Sequence, residues 1–213
     1  MDKYITMPVT AEITDNLHAG DYVYLSGILY VARDAAHKRL EELLKQTEEE
    51  YYKERGETGN RQNLTAKEQE ELVRKLTEAL PFPIENSTIY YMGPSPARNG
   101  RPVGSAGPTT ASRMDKYAPR LLDLGQKAMI GKGKRTQEVK EAVMRNHAVY
   151  FAAVGGAGAL LSKCIRKSEI VCYEDLGAEA VLKLEVENFP VIVVIDKDGN
   201  NLYETAIRAY AEE

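Results

Sequence analysis

The sequence predicts an α/β domain, and three features carry that reading. From Thr88 onward a strand-like run, a glycine-bearing loop and a helix-like stretch recur three times, the alternation of a layered α/β fold. Residues 1–33, ahead of it, read as strands. Between the two lies a heavily charged stretch whose apolar residues recur at helical spacing.

Tyr4 to Pro8 is expected to be short and extended. Asp21 to Ala32 sets Tyr22, Tyr24 and Leu25 among small residues, and Gly27 interrupts it, which predicts a bulge or bend. Asp34 is placed to cap a helix from Ala35, with Leu40, Leu43 and Leu44 on its apolar positions. Residues 41–80 hold 11 acidic and 7 basic side chains, an imbalance equal to the net charge of −4 of the whole chain. Gly56 to Asn63 is the expected turn. The second helix opens with the capping box Thr65–Glu68 and stops before Pro81, and Leu72, Val73, Leu76 and Leu80 form its stripe. Residues 45–80 are therefore expected to be a helical hairpin laid on the surface, a charged insert within one domain spanning 1–213.

Thr88 to Met92 is the next strand, and Gly93 to Pro108 is too long for a mere turn, which marks a functional loop. Three units follow. Gly107-Pro-Thr-Thr110 leads into a helix from Ala111 to Leu124, stopped by Gly125. Lys127 to Ile130 is a strand, followed by Gly131-Lys-Gly-Lys134 and a helix to about Asn146. Ala148 to Val154 is a strand, followed by Gly155-Gly-Ala-Gly158 and a helix to about Ile165. Glu169 to Tyr173 is another strand, and Val191 to Ile195 turns through Asp196-Lys-Asp-Gly-Asn200 into a hairpin strand, Asn201 to Thr205. The N-terminal strands are expected to form a separate β layer on the same core.

Composition narrows the function classes. With 43% apolar and 28% charged residues, the chain can bury a core. Its longest apolar runs, Ala148–Val154 and Val191–Ile195, fall far short of the ~20 residues of a membrane helix. No apolar stretch of a secretory signal opens it, so a cytoplasmic location is expected. A net charge of −4 disfavours nucleic acid. The two cysteines, Cys164 and Cys172, are too few to hold an iron–sulfur cluster and are expected to be small buried residues.

The chemistry is expected at the glycine loops. Each opens a helix, and helix N-termini attract anions. Arg113 and Lys132 sit on two of these loops, and Arg33 stands where the early strand ends. Convergent, the three would suit a small dicarboxylate, because guanidinium groups pair with carboxylates bidentately; separately, each is a surface cation. Gly156-Ala-Gly158 with Glu174 and Asp175 downstream imitates a dinucleotide fingerprint, but Leu161 occupies the third glycine position. Gly131-Lys-Gly-Lys134 lacks P-loop spacing. His18, His37 and His147 are too scattered to imply a metal, and His37 is expected to make structural hydrogen bonds near the site.

Arg33-Asp-Ala-Ala-His37, Gly107-Pro-Thr-Thr-Ala-Ser-Arg-Met-Asp115, Ile130-Gly-Lys-Gly133, Gly155-Gly-Ala-Gly158, Tyr173-Glu-Asp-Leu-Gly-Ala-Glu-Ala180 and Val186-Glu-Asn-Phe-Pro-Val191 together resemble the C-terminal domain of class I fumarases. The likeness covers nearly the whole chain in order, apart from the charged stretch. Tartrate dehydratase β subunits share the architecture with cysteines at or near Ala35 and Ala36, so the Ala-Ala pair leans toward fumarase. The resemblance implies a swivelling β/β/α domain that docks on an α subunit holding a [4Fe–4S] cluster. It implies reversible dehydration of a 2-hydroxy dicarboxylate, malate first and tartrate second, in an assembly such as (αβ)2. It implies that Arg33 and Arg113 clamp carboxylates and that Thr109 is the base, its hydroxyl activated by a helix N-terminus with Arg113 and Lys132. Lys132 supports the site electrostatically, and Gly107 and Thr110 contribute backbone contacts. Met1 is expected to mark a separate β subunit. The rival reading is a non-catalytic anion-binding module.

Overall fold

The computed structural model describes residues 2–56, 64–97, 100–154 and 156–211, the last five by backbone alone. Among the described residues seven strands form one sheet: β1 (Lys3–Thr6), β2 (Tyr22–Val31), β3 (Thr88–Tyr90), β4 (Ala128–Gly131), β5 (Val149–Ala152), β6 (Ile165–Cys172) and β7 (Val181–Ile195). Their order is β1-β2-β3-β4-β5-β7-β6, and β2 also pairs with β7. That extra pairing closes β2, β3, β4, β5 and β7 into a five-stranded barrel, with β1 and β6 flanking it. Strands β1 to β5 run parallel, while β7 is antiparallel to β2, β5 and β6. The N-terminal strands are thus no separate layer, because β2 is built into the seam. A pairing that joins Tyr22 to Ile192 leaves no mark in local periodicity.

Alternation along the strands produces two cores. Leu25, Leu29, Tyr90, Ile130, Phe151 and Phe189 fill the barrel. Ile89, Met129 and Tyr150, on the opposite faces of their strands, pack outward under the helices. Parallel strands covered on both sides read as continuous apolar runs, as β4 does. Gly27 does what its position predicts. The register shifts between Leu25 and Gly27, and there β2 passes from pairing with β1 to pairing with β3. Its φ of +118° suits only glycine, and a Cβ there would lie 3.2 Å from the Met7 carbonyl.

The helices are α1 (Ala11–Thr14), α2 (Asp34–Glu54), α3 (Ala66–Ala79), α4 (Ala118–Asp123), α5 (Gln137–Arg145), α6 (Gly158–Leu161) and α7 (Leu202–Ala211). The capping box forms: Glu68 N–H reaches the Thr65 hydroxyl and the Glu68 carboxylate reaches Thr65 N–H. Of the expected turn Gly56–Asn63, residues 57–63 lie outside the described residues. The two helices meet through Tyr51, whose hydroxyl donates to the Glu68 carbonyl at 3.1 Å, and through Lys75–Glu54 at 2.8 Å. Their inner face is no solvated appendage. Tyr51, Tyr52, Leu72 and Leu76 are buried in the outer core, while Val73, assigned to the stripe, is exposed.

Five local expectations are corrected. α2 starts at Asp34, so Arg33 and not Asp34 is its cap residue, and the Arg33 side chain makes no capping bond. The helix expected over Ala111–Leu124 is a 3-10 turn, Ala111–Met114, followed by α4, whose first turn holds Pro119. The third loop opens only the four-residue α6. Asn201 to Thr205 is not a strand: Asn201 makes one bridge to Ile195, then its side-chain oxygen accepts from Tyr203 N–H at 3.0 Å and starts α7. Both cysteines are partly exposed rather than buried. No described helix is long and apolar enough to cross a membrane.

Candidate active site

Because β2 to β5 are parallel, their C-terminal ends share one rim, the place where α/β folds build sites. Arg33 follows the end of β2, Gly93 that of β3 and Lys132 that of β4. The start of β7 lies there too, since Val31 pairs with Leu182. The loop after β3 returns to the same rim. Tyr90, inside the barrel, donates its hydroxyl to the Ala106 carbonyl. Pro108 then bridges to Met92, and Thr109 N–H donates to the Tyr91 carbonyl at 2.7 Å. Thr110 bridges to Lys132, and Ala111 N–H donates to the Lys132 carbonyl at 2.8 Å. Residues 108–111 are thus wedged between the ends of β3 and β4, and the backbone sets Thr109, Thr110 and Lys132 side by side. Gly107 lies against α6: a Cβ on Gly158 would fall 2.9 Å from Gly107 N. Steric need therefore explains Gly158, which no longer needs a dinucleotide to account for it. Gly155 lies outside the described residues.

The two arginines meet. Arg113 donates to one oxygen of Asp34 at 2.6 Å, and Arg33 Nε lies 3.4 Å from the other. One carboxylate joins guanidinium groups from segments far apart in sequence. Burial alone would raise the Asp34 carboxyl. Its own backbone N–H, Arg113 and Arg33 outweigh burial and hold it below the ordinary carboxylate range. Arg33 also pairs with Glu179 at 3.2 Å. Arg113 and Lys132 stand exposed, and Thr109 is half-buried.

One part of the expected activation fails. Thr109 is in an extended segment, the turn after it is a four-residue 3-10 turn, and Thr110 at its cap makes no side-chain capping bond. No helix dipole of consequence bears on the Thr109 hydroxyl, so any activation falls to neighbouring cations.

Beneath the rim is a network that sequence spacing did not show. Arg135, its side chain fully buried, donates to Asp115 at 2.6 Å, and the other Asp115 oxygen accepts from Thr136 N–H at 2.7 Å. The Arg135 guanidinium lies over the rings of Tyr150 and Tyr91, 4.8 and 5.3 Å from their centroids. This pair ties the turn carrying Arg113 to the loop carrying Lys132. Asp115 and Arg135 are 20 residues apart, with no periodic relation that could have found them.

His37 makes a structural hydrogen bond, as expected. Its Nδ1 lies 3.0 Å from the Arg33 carbonyl; a carbonyl only accepts, so Nδ1 carries the proton. The ring sits edge-on to Tyr91 at 5.3 Å. Burial lowers its pKa to about 4, with the charge of Arg135 adding to the effect and the Arg33 carbonyl opposing it. Between pH 4 and 6.5 the unfolded chain therefore binds more protons, and stability falls as pH drops through that window. Wild type is expected to lose about 2 kcal/mol more than His37→Asn between pH 7.5 and 5, read by urea unfolding; equal losses would refute it.

The thiols do not suit a cluster. Cys164 and Cys172 lie at opposite ends of β6, roughly 25 Å apart at strand spacing, and burial raises both above the usual thiol range. Among the described residues no three His, Cys, Asp or Glu side chains are grouped to hold a metal.

The order of motifs along this rim is matched by a family model described as the fumarase C-terminus, over residues 3–55 and 60–206. The chain belongs to the fumarase C-terminus family. The break in the match, 56–59, falls between α2 and α3. Among relatives of this fumarase-type chain, the anaerobic class I fumarate hydratase of Escherichia coli is 34% identical over 86% of the chain and 28% of its own length. The mitochondrial fumarate hydratase 1 of Leishmania major is 35% identical over 84% of the chain and likewise 28% of its own. The chain thus spans little more than a quarter of these fumarate hydratases. A Methanocaldococcus jannaschii protein provisionally named L(+)-tartrate dehydratase subunit beta is 33% identical, over 95% of the chain and 91% of that protein. The resemblance seen in the motifs therefore holds.

Proposed function

We propose that this chain is the β subunit of an iron–sulfur hydro-lyase that reversibly dehydrates a small 2-hydroxy dicarboxylate, malate to fumarate. L-Tartrate is the alternative substrate, favoured by the length match to the M. jannaschii protein. The observation that carries the reading is the meeting of Arg33 and Arg113 on Asp34, at the rim where Thr109 and Lys132 are neighbours. In this reading 1–213 is one swivelling β/β/α domain, 45–80 is a charged helical hairpin insert, and the assembly is a cytoplasmic (αβ)2.

The residues divide the work as follows. Arg33 and Arg113 pair with the substrate carboxylates, and Gly107 and Thr110 supply backbone contacts. Thr109 accepts the C3 proton, with Arg113 and Lys132 favouring its anionic form. That proton lies next to a carboxylate, so its removal builds charge on those oxygens, where the guanidinium groups meet it as it develops. The [4Fe–4S] cluster is assigned to the α subunit, where it would supply Lewis-acid chemistry; the two thiols here do not suit it.

Purified alone, the chain is expected to be colourless and inactive. Coexpressed with a cluster-bearing α subunit, it should give a brown, oxygen-sensitive enzyme that hydrates fumarate. Rapid malate dehydration by the single chain, free of iron, would refute the reading.

A further inference from the structure

The segment Tyr173–Ala180 has no role in the reaction as drawn, yet it reaches the rim. Between β6 and β7 the chain makes two 3-10 turns within Glu174–Glu179, joined by a kink at Gly177 and entered through Tyr173 at a φ of +58°. Arg39 on α2 holds its start, donating to Asp175 at 2.7 Å and lying over the Tyr173 ring at 5.3 Å. At its end Glu179 divides its carboxylate between two groups. One oxygen accepts from Ala35 N–H at 3.0 Å, serving the α2 terminus that no local side chain caps. The other lies 3.2 Å from Arg33 Nη2.

Arg33 is confined on further sides. Asp34 takes its Nε. Below it is Gly93, where a Cβ would stand 2.5 Å from Arg33 Nη1 and 3.1 Å from the Ala178 carbonyl. The side chain of Arg33 is 23% exposed and that of Arg113 48%, so the two guanidinium groups are unequally fixed.

We infer that Glu179 is a positioning residue, which holds the Arg33 guanidinium at the rim before substrate arrives. Its consequence for turnover rests on the hydro-lyase reading. An arginine already ordered loses little rotamer freedom on binding, so the benefit falls on substrate affinity. Once substrate has ordered Arg33, the transition state finds it in place with or without Glu179.

Glu179→Gln separates positioning from charge, because the two act in opposite directions. Removing a negative charge beside the cations strengthens the pull on a dianion and lowers KM. Loosening Arg33 raises it. In the enzyme assembled with its α subunit, KM for malate is expected to rise about tenfold, with kcat within about threefold of wild type. An unchanged or lower KM would overturn the inference. A second measurement needs no turnover: side-chain 15N NMR of the purified chain. Arg33 should show restricted guanidinium rotation in wild type and free rotation in Glu179→Gln. Free rotation in wild type would overturn the inference even if the variant failed to fold. An assembled wild type without hydro-lyase activity would refute the functional reading alone, and the NMR result would still decide the role of Glu179.

Discussion

Thr109→Ala is expected to lower kcat about a thousandfold in the assembled enzyme while KM stays within about threefold. In the proposed reading the hydroxyl is asked only to accept a proton and the carboxylate contacts belong to Arg33 and Arg113, so binding should survive. Thr109 is held by its backbone at both flanks, through Tyr91 and Lys132, and loss of one hydroxyl should leave that frame intact. Thr110→Ala is the control, because its exposed side chain makes no capping bond; it should retain most activity. Steady-state kinetics decide between them. A loss below tenfold in Thr109→Ala would move the base elsewhere. Dicarboxylate binding without wild-type turnover would favour the non-catalytic anion-binding module.

Asp115→Ala is expected to cost about 3–5 kcal/mol of stability, as breaking a buried pair does when one charge is left behind. Arg135 has no exposed side-chain surface and Asp115 has 6%. Removing the carboxylate strands the guanidinium between Tyr91 and Tyr150 and also orphans Thr136 N–H ahead of α5. Urea unfolding measures it. A loss under about 1 kcal/mol would mean that water or a neighbouring group takes over the pairing. In variants that stay folded, weaker dicarboxylate binding should accompany the loss, since the same pair joins the Arg113 turn to the Lys132 loop.

Sequence and structure agree where the determinants are local. The Gly27 bulge, the capping box at Thr65 and the strand ends bearing Arg33 and Lys132 all follow from residues next to one another. At Asn201 two local signals compete: the Asp-Gly-Asn turn resembles that of a hairpin, and the Asn201 side chain that starts α7 outweighs it. The barrel seam could not be read, because β2 and β7 lie at opposite ends of the chain and antiparallel pairing has no sequence period of its own. The cations of the site were legible because motif and strand end coincide. Their acidic partners were not, because Asp34 reads as a helix cap, while Asp115 and Glu179 stand at no regular spacing from the arginines that the fold sets them against.

The direction of the strands has a practical result. β1 runs parallel to β2, so the chain enters the barrel from the side away from Arg33, Thr109 and Lys132. An affinity handle or tether placed ahead of Lys3 would emerge on that far side and leave the rim of Arg33, Thr109 and Lys132 uncovered.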